Sequence, residues 1–213
     1  MIAPAASFLS GPLPILTFED AAFGPSLGYV FDPRWLDPYE SLVSMLWKFA
    51  WVNGLAGHLV VTQVAKRPID PYEGIAATVD DVDVRRVACA LGVASKTVQA
   101  ACRRGQGPLL QVCTCCMSRG YHGVVHQLGP EARCPVHGCR LASACLGCGA
   151  RTAWRLDARL LDAPFRCAHC RRRYGAANFI HRKPLSQPVR TVLTRTCLCL
   201  GTLPVPKPAV RRR

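Results

Sequence analysis

The sequence predicts a small α-plus-zinc-ribbon fold: a helical, helix-turn-helix-like N-terminal domain followed by two tandem zinc ribbons. Three observations predict it. Apolar residues recur at helical spacing between Leu42 and Cys102, four short Cys/His pairs follow at ribbon spacing, and a mildly acidic first part gives way to a strongly basic remainder.

Residues 1–36 read as an irregular lead-in punctuated by Pro and Gly. They offer no basic n-region, and their Pro and Gly break any apolar run, so they do not read as a signal peptide. Helix signals begin at Asp37-Pro38-Tyr39-Glu40, with an Asp N-cap, proline at the first helical position and an acid at the third. Leu42, Leu46, Phe49 and Ala50 then recur at helical spacing, and Gly54 is the expected stop. Gly57 to Ala65 is a second short helix, and Lys66 to Pro71 a loop. The apolar window Leu42 to Val64 is interrupted by Lys48, Asn53, Gly54 and His58, too polar for a spanning helix.

From Asp80 to Arg104, Val84, Val87, Ala88 and Leu91 make one helical face ended by Gly92. Ser95 is expected to cap a following helix that turns Val98, Ala101 and Cys102 inward. The string from Ala90 to Val98 resembles the turn of a helix-turn-helix. In that geometry Lys96, Gln99, Arg103 and Arg104 lie outward, where a major groove would be contacted. A compact helical hairpin that binds protein has the same pattern. The helical domain is thus expected over 37–108, a first ribbon over 109–142, a second over 143–182, and a basic Pro/Arg-rich tail of little order over 183–213. Short strands and knuckles are expected in 113–175.

The chain has 13 cysteines in 213 residues. Without an export signal, paired cysteines in a reducing cytosol mean metal rather than disulfide. Four pairs have two residues between members: Cys113–Cys116, Cys134–His137, Cys145–Cys148 and Cys167–Cys170. A tight knuckle of that spacing aims both side chains at one ion. Seventeen residues separate Cys116 from Cys134 and eighteen separate Cys148 from Cys167, but only seven separate His137 from Cys145. Pairing first with second and third with fourth gives two units of nearly equal size. The competing arrangement joins Cys134–His137 to Cys145–Cys148 across the short gap. In the first arrangement, Cys113, Cys116, Cys134 and His137 hold one structural Zn(II), and Cys145, Cys148, Cys167 and Cys170 hold another. Cys115 and Cys139 are expected to be packing residues beside the first set, and His169 to point away. Cys89, Cys102, Cys197 and Cys199 read as core or tail thiols.

Residues 1–80 carry 4 Lys/Arg against 8 Asp/Glu, whereas residues 81–213 carry 23 against 5. A basic part of that size favours a polyanion, with Arg151, Arg155, Arg171, Arg172 and Arg173 as phosphate contacts. Full metal shells and only Glu131, Asp157 and Asp162 as acids over 113–213 argue against an enzyme.

The motifs resemble the TniQ transposition proteins. The matching stretches are Glu40-Ser41-Leu42-Val43-Ser44 with Asn53-Gly54-Leu55, then Tyr121-His122, Gln127-Leu128, Cys134-Pro135-Val136-His137-Gly138-Cys139 and Cys145-Leu146-Gly147-Cys148-Gly149, within roughly 37–175. Thr114 stands where that family often has Pro, and His126 where it has Trp. The resemblance implies a target-selection adaptor that couples a targeting element to an AAA+ ATPase regulator in a bacterial, nucleoid-associated cytoplasmic setting. The targeting element is a DNA site or a CRISPR RNA-guided complex. No membrane partner is implied, and homodimerisation is left open. The short stretch beyond the second ribbon is expected to favour a minimal adaptor or a truncated element copy over autonomous DNA targeting. The alternative is a stand-alone helix-turn-helix/zinc-ribbon transcriptional regulator that reads one short duplex sequence.

Overall fold

The computed structural model describes residues 29–103, 107–128, 133–175 and 185–200; Arg104 lies outside them. After a 3-10 turn at Pro33–Trp35, the described helices are α1 (Leu42–Asn53), α2 (Gly57–Val64), α3 (Val84–Leu91), α4 (Ser95–Ala101), α5 (Thr114–Ser118), α6 (Val125–Leu128), α7 (Ala158–Leu161) and α8 (Gln187–Cys199).

Helix α1 starts later than the Asp37-Pro38 signal implies. Ser41 is its N-cap, its hydroxyl accepting the Ser44 N–H at 3.2 Å. Tyr39 has φ +62°, a left-handed conformation that no helix can pass through. Asp37 instead accepts the Leu185 N–H at 3.2 Å and lies 3.9 Å from Arg190. Gly54 and Gly92 end α1 and α3 as expected, each in the left-handed region with φ +61° and +62°. Ser95 is not the cap of α4. Ala94 occupies that position, and Ser95 is the first helical residue.

The main core draws together α1 through α4, as the apolar spacing predicts, but also Leu156, Leu160, Leu161 and Phe165. Those four lie between Cys148 and Cys167, in the segment read from sequence as ribbon strand. Asp157 caps α7 there by accepting the Leu160 N–H at 2.8 Å. Helix α7 packs directly on α2 and α1. The Trp47 indole N–H donates to the Leu160 carbonyl at 2.7 Å, and Gly57 N–H to Asp162 at 2.5 Å. An added Cβ at Gly57 would strike the Ala158 carbonyl, so glycine is required for this approach.

A second cluster surrounds Cys113, Cys116, Tyr121, Val125 and Cys134 and takes Leu193 and Cys197 from α8. Part of the expected tail is therefore a packed helix. Val189, Leu193 and Cys197 recur every four residues, and Pro188 sits in the first turn. The Tyr39 hydroxyl bonds Thr194 at 2.8 Å, fastening α8 to the chain before α1. That same segment pairs with the first Cys/His unit: Ser41 N–H donates to the His122 carbonyl at 2.8 Å and Val124 N–H to Tyr39 at 2.9 Å. The Glu40–Lys48 ion pair is fully buried beside this seam. Among the described residues the Cys/His region shows isolated antiparallel bridges rather than long strands, among them Val112 with Ala142 and Leu109 with Ala153.

Candidate metal centres

Three of the four pairs are built on one repeated backbone device, with first ligand Cys134, Cys145 or Cys167. In each, the N–H four residues on returns to that cysteine's carbonyl at 2.8–3.0 Å. Its own N–H donates to the carbonyl five residues on at 2.8–2.9 Å. The residue after the second ligand is left-handed in all three: Gly138 at φ +64°, Gly149 at +71° and Arg171 at +60°. A bridge closes each turn, pairing Arg133 with Arg140, Ala144 with Arg151 and Arg166 with Arg173. The pair Cys113–Cys116 is different. Cys113 is the N-cap of α5, and its sulfur accepts the Cys116 N–H at 3.4 Å, so a helical turn does the work of the knuckle.

These turns assemble two four-donor clusters, Cys113/Cys116/Cys134/His137 and Cys145/Cys148/Cys167/Cys170, the donor atoms of each lying within 4.8 Å of one another. The arrangement across the short gap is not the one formed. A tetrahedral zinc with Zn–S near 2.3 Å places its sulfurs about 3.8 Å apart, and a sulfur and an imidazole nitrogen about 3.5 Å apart. Cys116–Cys134 is 3.7 Å, Cys145–Cys170 is 3.7 Å and Cys148–Cys167 is 3.8 Å. His137 Nδ1 is 3.5, 3.3 and 3.5 Å from Cys113, Cys116 and Cys134. Both donor sets therefore fit a Zn(II) ion held entirely by protein.

The two clusters differ in environment. In the first, all three cysteines are buried under α8 and only His137 is exposed; in the second, Cys148 and Cys170 are exposed. Packed thiols cannot ionise independently. Hydrogen bonds from Cys113 and Cys116 hold Cys134 far below the ordinary thiol range. Cys113 itself is lowered by Cys116, but is pushed up to about 12 by Cys134 and burial. In the second cluster burial would raise Cys145, but the Cys148 and Gly147 N–H groups and the facing thiols bring it to about 7. A divalent cation supplies the charge that lets every thiol in such a set ionise.

His126 is buried against the first cluster and adds a group that spacing alone did not assign. Its Nε2 lies 3.6 Å from Cys134. His169 is exposed and contributes only its N–H, to Cys167 at 3.4 Å. Cys102 and Cys197 are buried core thiols, and Cys89 and Cys199 are exposed.

Of the expected nucleic-acid contacts, Lys96 and Gln99 are exposed on α4 and Arg103 is half-buried. Arg151, Arg155, Arg171, Arg172 and Arg173 are all exposed around the second cluster, with Arg155 donating to the Gly74 carbonyl at 2.8 Å. The repeated bridge puts an exposed arginine at the same place in each of the three knuckles, Arg140, Arg151 and Arg173. Arg140 lies outside the predicted set, and the knuckle register aligns it with Arg151 and Arg173.

Together these features define a helical protein with two Cys/His clusters of zinc-binding geometry. Comparison with protein-family models, with curated proteins and with solved structures finds no match for this chain. Among the described residues no helix is long and apolar enough to cross a membrane.

Proposed function

We propose that this protein is a non-enzymatic, zinc-stabilised target-selection adaptor in DNA transposition, of the TniQ type suggested by its motifs. It contacts DNA mainly through backbone phosphates and links a targeting element, such as a CRISPR RNA-guided complex, to an AAA+ regulator in the bacterial cytoplasm. One observation carries the DNA contact: the knuckles repeat an exposed arginine at equivalent positions, Arg140, Arg151 and Arg173, beside Arg171 and Arg172. Among the described residues none of these five joins an ion pair, so their charge faces solvent. Such an array attracts phosphate without reading bases. The closed four-ligand shells support a structural metal, since a catalytic zinc keeps a position for water or substrate.

The adaptor role rests on the motif resemblance and is tested by a nuclease-treated pull-down from the native host with mass spectrometry. Recovery of an AAA+ ATPase or a CRISPR complex supports it. Recovery of nuclease-sensitive partners alone points to the second reading, a stand-alone helix-turn-helix/zinc-ribbon regulator. That reading is favoured by α4, which follows a tight Gly92 turn and presents Lys96 and Gln99 outward. It requires strong preference for one duplex sequence, abolished by changing Gln99.

A further inference from the structure

Cys115 and Cys139 belong to neither four-donor cluster, yet the fold brings them to its edge. The sulfurs of Cys113 and Cys139 are 3.3 Å apart, and Cys113, Cys115 and Cys139 all lie within 4.8 Å of one another. Each placement follows from a turn already described. Cys115 is on the first turn of α5, with its side chain exposed while the adjacent Cys116 faces the buried cluster. Cys139 follows the left-handed Gly138, and its carbonyl accepts the Cys134 N–H that closes the knuckle. Cys139 is half-buried against the second core cluster, whereas Cys115 is exposed, so packing does not account for its place beside the other two. Three sulfurs converging on one point form a donor set selective for soft, thiophilic metal ions.

We infer that Cys113, Cys115 and Cys139 form a third zinc site, sharing the Cys113 thiolate with the first and giving a sulfur-bridged pair of ions. This rests on the zinc reading of the first cluster. Charge does not oppose the pair, whose net charge stays at that of the single site. Three thiolates around one zinc leave one negative charge in excess, and a second zinc cancels the two thiolates added by Cys115 and Cys139. As it binds, Zn–S bonds form to Cys115, Cys139 and Cys113, and the Cys115 and Cys139 protons pass to solvent. The exposed Cys115 side admits a water as fourth ligand.

The test is native mass spectrometry of the full chain in zinc-buffered solution. Three zinc ions are expected in the wild type and two in Cys115→Ser/Cys139→Ser, with an unchanged far-UV circular dichroism spectrum. Two ions in both proteins, or three in both, overturns the shared site while leaving the two four-donor clusters intact. Fewer than two in the wild type overturns the zinc reading and this inference together. Cobalt substitution decides independently of the variant's folding. Ions bridged by one thiolate couple magnetically, so the fully loaded wild type should give a weaker paramagnetic resonance signal per cobalt than isolated tetrahedral sites. Full intensity per cobalt overturns the bridge.

Discussion

His126 aims its Nε2 at the Cys134 sulfur from 3.6 Å while its Nδ1 accepts the Gly123 N–H at 3.2 Å. A neutral imidazole carries one proton, so accepting at Nδ1 places that proton on Nε2 and makes the ring a donor to the sulfur. Groups that hold a ligand in this way typically contribute a factor of about 10–100 in metal affinity. His126→Phe keeps a ring in the pocket and removes the N–H. It is expected to weaken the Cys113/Cys116/Cys134/His137 site by about that factor and leave the four-cysteine site unchanged. Stepwise competition with a chromophoric chelator would resolve the two. Equal weakening of both sites, or of neither, would contradict this role.

The contact between Trp47 and Leu160 makes a prediction about folding units. Leu160 lies between ligands of the second cluster but is buried in the core of α1 and α2. Leu160→Ala should cost about 2–5 kcal/mol, as for other buried leucine truncations. Because the core is shared, thermal unfolding should stay a single transition with a lowered midpoint. Separate melting of a metal-bound unit and an intact helical unit would show that the two do not depend on each other.

Acid sensitivity follows from His122. Its Nε2 lies 2.9 Å from the Gln111 carbonyl, which can only accept, so Nε2 carries the proton and Nδ1 accepts from the Ser41 hydroxyl at 2.7 Å. Burial, helped by His126, lowers its pKa to about 3. In the unfolded chain it titrates near about 6.5. Above that pH the neutral ring imposes no penalty on folding. As pH falls from about 6.5 towards 3, the unfolded chain gains a proton that the folded one refuses, and stability declines. His122→Asn should be less stable at pH 7 but lose less on acidification. Because both proteins lose metal alike, the difference between their denaturation midpoints across pH isolates His122, and parallel curves would refute the assignment.

Much of this was legible in the sequence, for reasons that also mark its limits. The ligand pairs were readable because chelation constrains spacing, and the stops at Gly54 and Gly92 because left-handed ends favour glycine. Helix α7 was hidden: four residues between cysteines show no period, and Leu160 and Leu161 are helical only because α2 lies against them. Helix α8 did carry a signal at Val189, Leu193 and Cys197, masked by the surrounding arginines. The Asp37-Pro38 signal misplaced the start of α1 because Asp37 is engaged by Leu185 and by Arg190 of α8, some 150 residues away. His126 could not be assigned from spacing because it touches the cluster through a ligand.

Zinc removal supplies a fourth expectation. The first cluster lies inside a core that α8 closes, whereas the second has two exposed cysteines. A chelator should therefore strip the second site first. Loss of the first ion should release α8, seen as reduced helical circular dichroism and faster amide exchange at Leu193. Simultaneous loss of both ions without loss of helix would show that the first site does not hold α8 in place.

Arg171 separates stability from binding. It occupies the position after the second knuckle ligand where the other two knuckles have Gly138 and Gly149, and it adopts the same left-handed backbone at φ +60°. A side chain there costs roughly 1–2 kcal/mol, while glycine loses roughly 0.5–1 kcal/mol through the added freedom of the unfolded chain. Arg171→Gly should therefore leave stability unchanged or raise it by up to about 1.5 kcal/mol. If the exposed arginines meet phosphate, the same change should weaken duplex DNA binding on every sequence and flatten the dependence of log affinity on log salt by about one unit. Unchanged affinity and salt slope would leave the strained arginine without a role at the knuckle rim and would count against the phosphate contact. A more stable variant that binds DNA less well would show that binding favours arginine at a position where the backbone geometry alone favours glycine.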